Sequence, residues 1–267
     1  MVNILSIVFM IVSMLICFLL PVALIVYFYR KHKISLIAVL LGAAVFFVFQ
    51  VLIRIPLLNI LGKQQWYIEM STHIYLIALF LALTAGIFEE VGRYIAMKLF
   101  MKKSLNWKNS IAFGIGHGGI EAILIVGITL LNYVVLSFMI NSGLFDSAIA
   151  ATLPPEIAEQ IRTTLINSPT INFLAGGFER SMTIIIQIAF SVMVAYSVKF
   201  KKPLYLLYAV LLHAVVDAPA VILVDMGLNI WIIEIFVAVC AAVGLIYIMK
   251  AKSIFEKEEQ VQIQVAE

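Results

Sequence analysis

"HIYLIALFLALTAGIFEEVGRYIAMKLF", residues 73–100, decides how this chain must be read. The stretch is apolar and long enough to cross a hydrocarbon core, which takes about 20 helical residues. Yet its centre carries Glu89, Glu90 and Arg93. A charge at the middle of a spanning helix costs roughly 2.5–3.5 kcal/mol on insertion scales. A group of them so close together needs a compensating reason.

The rest of the chain fixes the solvent. Of 267 residues, 64% are hydrophobic and 12% are charged, with a mean hydropathy of +1.10. A soluble domain carries about 25% charged residues. Apolar runs recur at 4–29, 34–53, 109–133, 173–198, 203–224 and 229–249 in addition to 73–100. The pattern implies an all-α polytopic transmembrane helical bundle of seven spans, with eight as the alternative. The short alternating strands of a membrane barrel are absent from the pattern. Residues 1–250 read as a single integral membrane domain and 251–267 as a short cytoplasmic tail. The first run lacks a basic leader and exceeds the core of a cleavable signal, so it reads as a retained helix. Cys17 and Cys240 both sit in apolar runs and read as free thiols.

Connections between the runs differ sharply in charge. Arg30, Lys31, Lys33, Lys98, Lys102, Lys103, Lys108, Lys199, Lys201, Lys202, Lys250, Lys252 and Lys257 fall at one set of ends; Arg54, Lys63 and Arg162 fall at the other. By the positive-inside rule the first set faces the cytoplasm. The N-terminus is then outside and the C-terminus inside. The net charge of +3 is the basic fringe of the spans and implies no nucleic-acid partner. In the long outer connection 134–172, Pro154 and Pro155 with Ile157, Ile161 and Leu165 suggest a short amphipathic surface helix; a packed loop is the plainer alternative.

The ionisable groups inside the spans form a short set: Glu89, Glu90 and Arg93, then His117 and Glu121, then Glu179 and Arg180, then His213 and Asp217. Counting from the flanking lysines at about 1.5 Å per residue puts Glu89, His117 and His213 at one depth, roughly 13–17 Å from the basic ends. His117 with Glu121, and His213 with Asp217, stand at i, i+4 and share a helix face. Arg93 can pair with either glutamate. The deep carboxylates outnumber the two arginines among these groups, so protons, a protonated histidine or a divalent metal must balance them. Gly86, Gly114, Gly116, Gly118 and Gly119 surround these groups and allow close helix approach, with a backbone role in substrate binding as the alternative. Pro219 interrupts the helix just beyond Asp217.

These motifs resemble the YhfC-type bacterial membrane proteins, and through them the CAAX-protease and bacteriocin-processing group. That wider group is marked by Glu-Glu followed by Arg, then Phe-x3-His, then His-x3-Asn/Asp, on three helices. Here "EEVGR" supplies Glu89, Glu90 and Arg93; "FGIGH" supplies Phe113 and His117; "HAVVD" supplies His213 and Asp217. One departure stands out. The group spaces the pair from Arg by three residues, whereas this chain has two.

The resemblance implies an intramembrane endopeptidase in the bacterial cell membrane, hydrolysing a membrane-associated protein or peptide at a site open to the cytoplasm. It makes Glu89, Glu90, Arg93, His117, His213 and Asp217 the catalytic candidates. One of the glutamates would be the base, Arg93 would fix the pair, His117 would hold the water or a metal, and His213 and Asp217 would stabilise the oxyanion. Glu121, Glu179 and Arg180 are secondary candidates outside the group's motifs. No cofactor is required on a glutamic mechanism; on a metal-assisted one, zinc would sit at Glu89, Glu90, His117 and His213. Two rival readings remain. A proton- or cation-coupled transporter also uses deep acids and histidines, but favours internal repeats and a polar path to both faces. An inert scaffold or immunity protein would not need the motifs intact.

Overall fold

The computed structural model describes residues 1–266. It is helical, with no strand among the described residues. Seven helices are long and apolar enough to cross a membrane: α1 (Ile4–His32), α2 (Leu36–Leu61), α3 (Ile74–Phe100), α4 (Trp107–Ser142), α5 (Ala175–Lys199), α6 (Leu204–Asp225) and α7 (Ile230–Ala266). The chain is a multi-pass membrane protein, and each apolar run of the sequence becomes one of these helices. Helix α7 continues without a break past position 250.

Local chemistry sets the ends. Ser35 caps α2, its side chain accepting from the Ala38 amide at 3.3 Å. Asn106 Oδ1 does the same for the Asn109 amide at the start of α4, at 2.9 Å. The Asn109 side chain in turn accepts from the Ser35 amide at 3.0 Å, tying the starts of α2 and α4 together. Lys33 and Lys201, both at positive φ, turn the chain after α1 and α5. Two segments adopt wide π-type turns: Phe46–Arg54 within α2 and Ala122–Gly127 within α4.

By its internal contacts the chain divides into two compact units, Met1–Leu20 with Ala122–Ser181, and Pro21–Glu121 with Met182–Glu267. The first is built around Val2, Ile7, Met10, Cys17, Leu130, Val134, Leu165 and Phe173. Around this core the Val2 amide donates to Asn141 Oδ1 at 2.7 Å, and Ser13 Oγ donates to the Phe173 carbonyl at 2.7 Å. The connection after α4 does contain a helix, Pro155–Asn167, with Pro155 in its first turn. Leu165 is buried and Ile161 packs on the core, while Ile157 stays exposed.

In the second unit α2 crosses α4, and α3 pairs with α6. These crossings bring backbone onto backbone. A Cβ at Gly116 would lie 1.9 Å from the Val39 carbonyl oxygen, and one at Gly42 would lie 2.0 Å from that of Phe113. A Cβ at Gly86 would lie 2.7 Å from the Val210 carbonyl oxygen. Close approach is therefore what glycine supplies at these crossings. It carries the side chains of α3, α4 and α6 into one polar interior.

Arg54 is a correction to the sequence reading. It lies inside α2 rather than in an outer connection, and it is buried. Its Nη2 donates to the Leu81 carbonyl at 2.6 Å and its Nε to Thr84 Oγ1 at 3.2 Å. The apolar run stops at Ile53, but the helix continues through Arg54 and Pro56, just past the π-type segment, to Leu61.

Candidate active site

Glu89, Glu90 and Arg93 occupy successive turns of α3 and are all buried. Arg93 bridges the two glutamates: Nη2 is 3.3 Å from Glu89 Oε2 and Nη1 is 3.5 Å from Glu90 Oε1. The sequence left open which glutamate Arg93 takes; it takes both. The shortened spacing permits this, because i+3 and i+4 lie on the same helix face.

Each histidine then meets one member of the pair. His117 Nε2 is 2.9 Å from Glu89 Oε2, and His213 Nδ1 is 2.8 Å from Glu90 Oε1. The other nitrogen of His213 lies 3.4 Å from Asp217 Oδ2 and 4.0 Å from Glu89 Oε2. Aromatic rings set both imidazoles: Phe46 meets His117 edge-on at 5.3 Å, and Phe190 stacks on His213 at 5.1 Å. Phe46 opens the π-type segment of α2, so that irregular stretch lies directly against the site. The side chain of Asp217 is 39% exposed, against 5% for Glu89 and none for Glu90. Asp217 thus marks the rim and the glutamate pair the floor.

One central residue was missed. Gln187 of α5 takes Arg93 on its side-chain oxygen and again, at 3.2 Å, on its backbone carbonyl. Its Nε2 donates to Glu121 Oε2 at 2.7 Å and to Glu89 Oε2 at 3.4 Å. A neutral amide does not enter a charge count, yet "TIIIQIAF" shows it as the polar interruption of an apolar run. Gln187 brings Glu121 into the cluster. The Glu179–Arg180 pair is different: adjacent in sequence and bonded to each other, they belong to the other compact unit.

The residues fit a metal by donor chemistry. Glu89, His117 and Glu121 can each offer one ligand atom within 4.8 Å of the others, and so can Glu89, Glu90 and His213. Imidazole nitrogen with carboxylate oxygen is a donor set that zinc accepts. His117 Nδ1 and Glu90 Oε2 are buried with no hydrogen-bond partner, the condition a bound cation relieves.

Comparison with known proteins narrows the chemistry. A family model described as YhfC intramembrane metalloprotease matches residues 16–237. The chain is 40% identical over 254 residues to a Bacillus subtilis (strain 168) protein named as uncharacterized membrane protein YhfC. That match covers 94% of this chain and 98% of the relative. No solved structure matches.

Proposed function

We propose, because the chain belongs to the YhfC intramembrane metalloprotease family, that it is an endopeptidase hydrolysing a peptide bond of a membrane-associated protein or peptide. The observation that carries the reading is the buried contact of Glu89 and Glu90 with His117 and His213, contributed by three different spans. Inert packing would favour balanced charges here, and this cluster carries excess carboxylate.

A metal held by either histidine–carboxylate set would polarise the scissile carbonyl and acidify a water. The chain's own groups do the remainder. The glutamate pair supplies the carboxylate that receives the proton of the attacking water. Arg93, braced by Gln187, holds both glutamates in place and keeps them from swinging apart. His213, aimed by Glu90 through Nδ1, presents its other nitrogen toward the rim where an oxyanion would develop. Asp217 borders the way in. The basic ends of the spans support, under the positive-inside rule, a site nearer the cytoplasmic side.

The test is cleavage of membrane-tethered and leader-type peptides by the detergent-purified protein, with and without chelator. Glu89→Gln, Glu90→Gln, His117→Ala and His213→Ala should each reduce turnover by at least about 100-fold, the scale of lost acid–base catalysis. Movement of protons across liposomes by the wild type, abolished by the same substitutions, would replace this reading with a transporter.

A further inference from the structure

Burial around the cluster is lopsided along the helix axes. On α4 every residue from Ser110 to Gly119 is buried, His117 among them, and burial first relaxes at Ile120 and Glu121. On α6 the buried residues are Ala209, His213 and Ala214, and none from Val215 to the helix end at Asp225 is buried. The side chain of Asp217 is 39% exposed, against 4% for His213 one turn before it. Both helices start beside lysines, Lys108 and Lys202, so both open in the direction away from them. The lysine-rich side is closed instead: Arg93, Ala96 and Met97 of α3 and Ser191, Val192 and Ala195 of α5 are all buried.

An exposed carboxylate inside a span needs water, because acyl chains offer it no hydrogen-bond donor. Asp217 stands roughly 20 Å from the start of α6 at Leu204 and roughly 12 Å from its end at Asp225, at the helical rise. The shorter way out therefore leads to the lysine-poor ends. Arg54 adds a polar group on that side: its partners Leu81 and Thr84 precede Glu89 on α3 by eight and five residues. We infer that the site is entered from the lysine-poor ends of the spans, and that its substrate is a peptide segment presented on that face, the extracytoplasmic one under the positive-inside rule. This is the reverse of the cytoplasmic opening that the family resemblance implies. The glutamate floor can lie nearer the lysines because the mouth faces away from them. The substrate class rests on the protease reading; the entrance does not.

Single cysteines read the entrance without cleavage. The background is the full chain with Cys17→Ala and Cys240→Ala. Ala220→Cys and Val221→Cys probe the mouth just beyond Asp217, and Ser191→Cys probes the closed side. The exposed Lys63→Cys and Lys103→Cys mark the lysine-poor and lysine-rich faces. A membrane-impermeant maleimide is added to spheroplasts or to inverted vesicles, so that each preparation offers one face. Monodisperse elution in detergent identifies variants that keep the fold. Ala220→Cys and Val221→Cys should label from the face that labels Lys63→Cys and not from the other, with Ser191→Cys silent from both. Labelling of the mouth positions from the Lys103 face, or from neither, would overturn the entrance. A second arm fuses each peptide of the cleavage panel to a leucine-rich anchor in both orientations, with Glu89→Gln as the blank. Cleavage should be confined to the orientation that exposes the segment on the Lys63 face. Cleavage confined to the other orientation would overturn the inference and leave the protease reading standing. Cleavage in neither, with the mouth labelled as expected, would remove the protease reading and the substrate class and leave the entrance in place.

Discussion

The two compact units solve the problem of a membrane interior in opposite ways. The unit of Met1–Leu20 and Ala122–Ser181 fills its centre with Met10, Cys17, Leu165 and Phe173 and spends its hydroxyls on nearby carbonyls. The unit of Pro21–Glu121 and Met182–Glu267 fills its centre with carboxylates, imidazoles and a guanidinium that need one another across four helices. In the first, the core residues contribute by volume. In the second, each contributes by pairing, and removing one strands the rest.

Substitutions should break the contrast in a definite order. Arg93→Met leaves two buried glutamates without their shared cation, and the expected cost is about 3–5 kcal/mol, read as collapse of the monodisperse peak or a large fall in melting temperature. Leu165→Ala, fully buried in the apolar unit, should cost about 2–5 kcal/mol. Turnover per folded molecule should be unchanged, so a loss of turnover at constant fold would erase the distinction between the units. Gly116→Ala places a Cβ 1.9 Å from the Val39 carbonyl oxygen. Spreading α2 from α4 should cost about 1–3 kcal/mol as overpacking. It should lower turnover as well, because His117 follows directly on α4. Ser13→Ala removes one buried hydrogen bond to the Phe173 carbonyl and should cost about 1 kcal/mol, visible in thermal unfolding with turnover intact.

The spans were legible because hydropathy over long runs is a strong signal, and the common depth of Glu89, His117 and His213 was legible because rise per residue is fixed. Rotation about each helix axis was not. Whether Arg93 would serve Glu89 or Glu90 depended on side-chain direction, and it serves both. Glu121 was visible as a neighbour of His117, but its link to Gln187 crosses from α4 to α5 and leaves no mark in either segment. Arg54 was misplaced because the apolar run stops at Ile53 just before it, and hydropathy cannot tell a helix that continues through a charge from one that stops. The wide turns of Phe46–Arg54 rotate the residues beyond them relative to an ideal helix, which no periodicity count from the first half of α2 anticipates.

The bare stretch of α4 has a last consequence. At Gly114 an added Cβ would lie 2.5 Å from the Ile188 Cα, at Gly116 1.9 Å from the Val39 oxygen, and at Gly119 2.8 Å from the Pro21 Cβ. Main chain thus touches neighbours on several sides of one short rod, leaving no sheath of rotamers to yield. A rod gripped in this way works like a spindle in a fixed bearing: it can neither roll nor slide. The imidazole of His117 is then aimed by missing side chains, and its bearing on Glu89 is a dimension of the backbone itself.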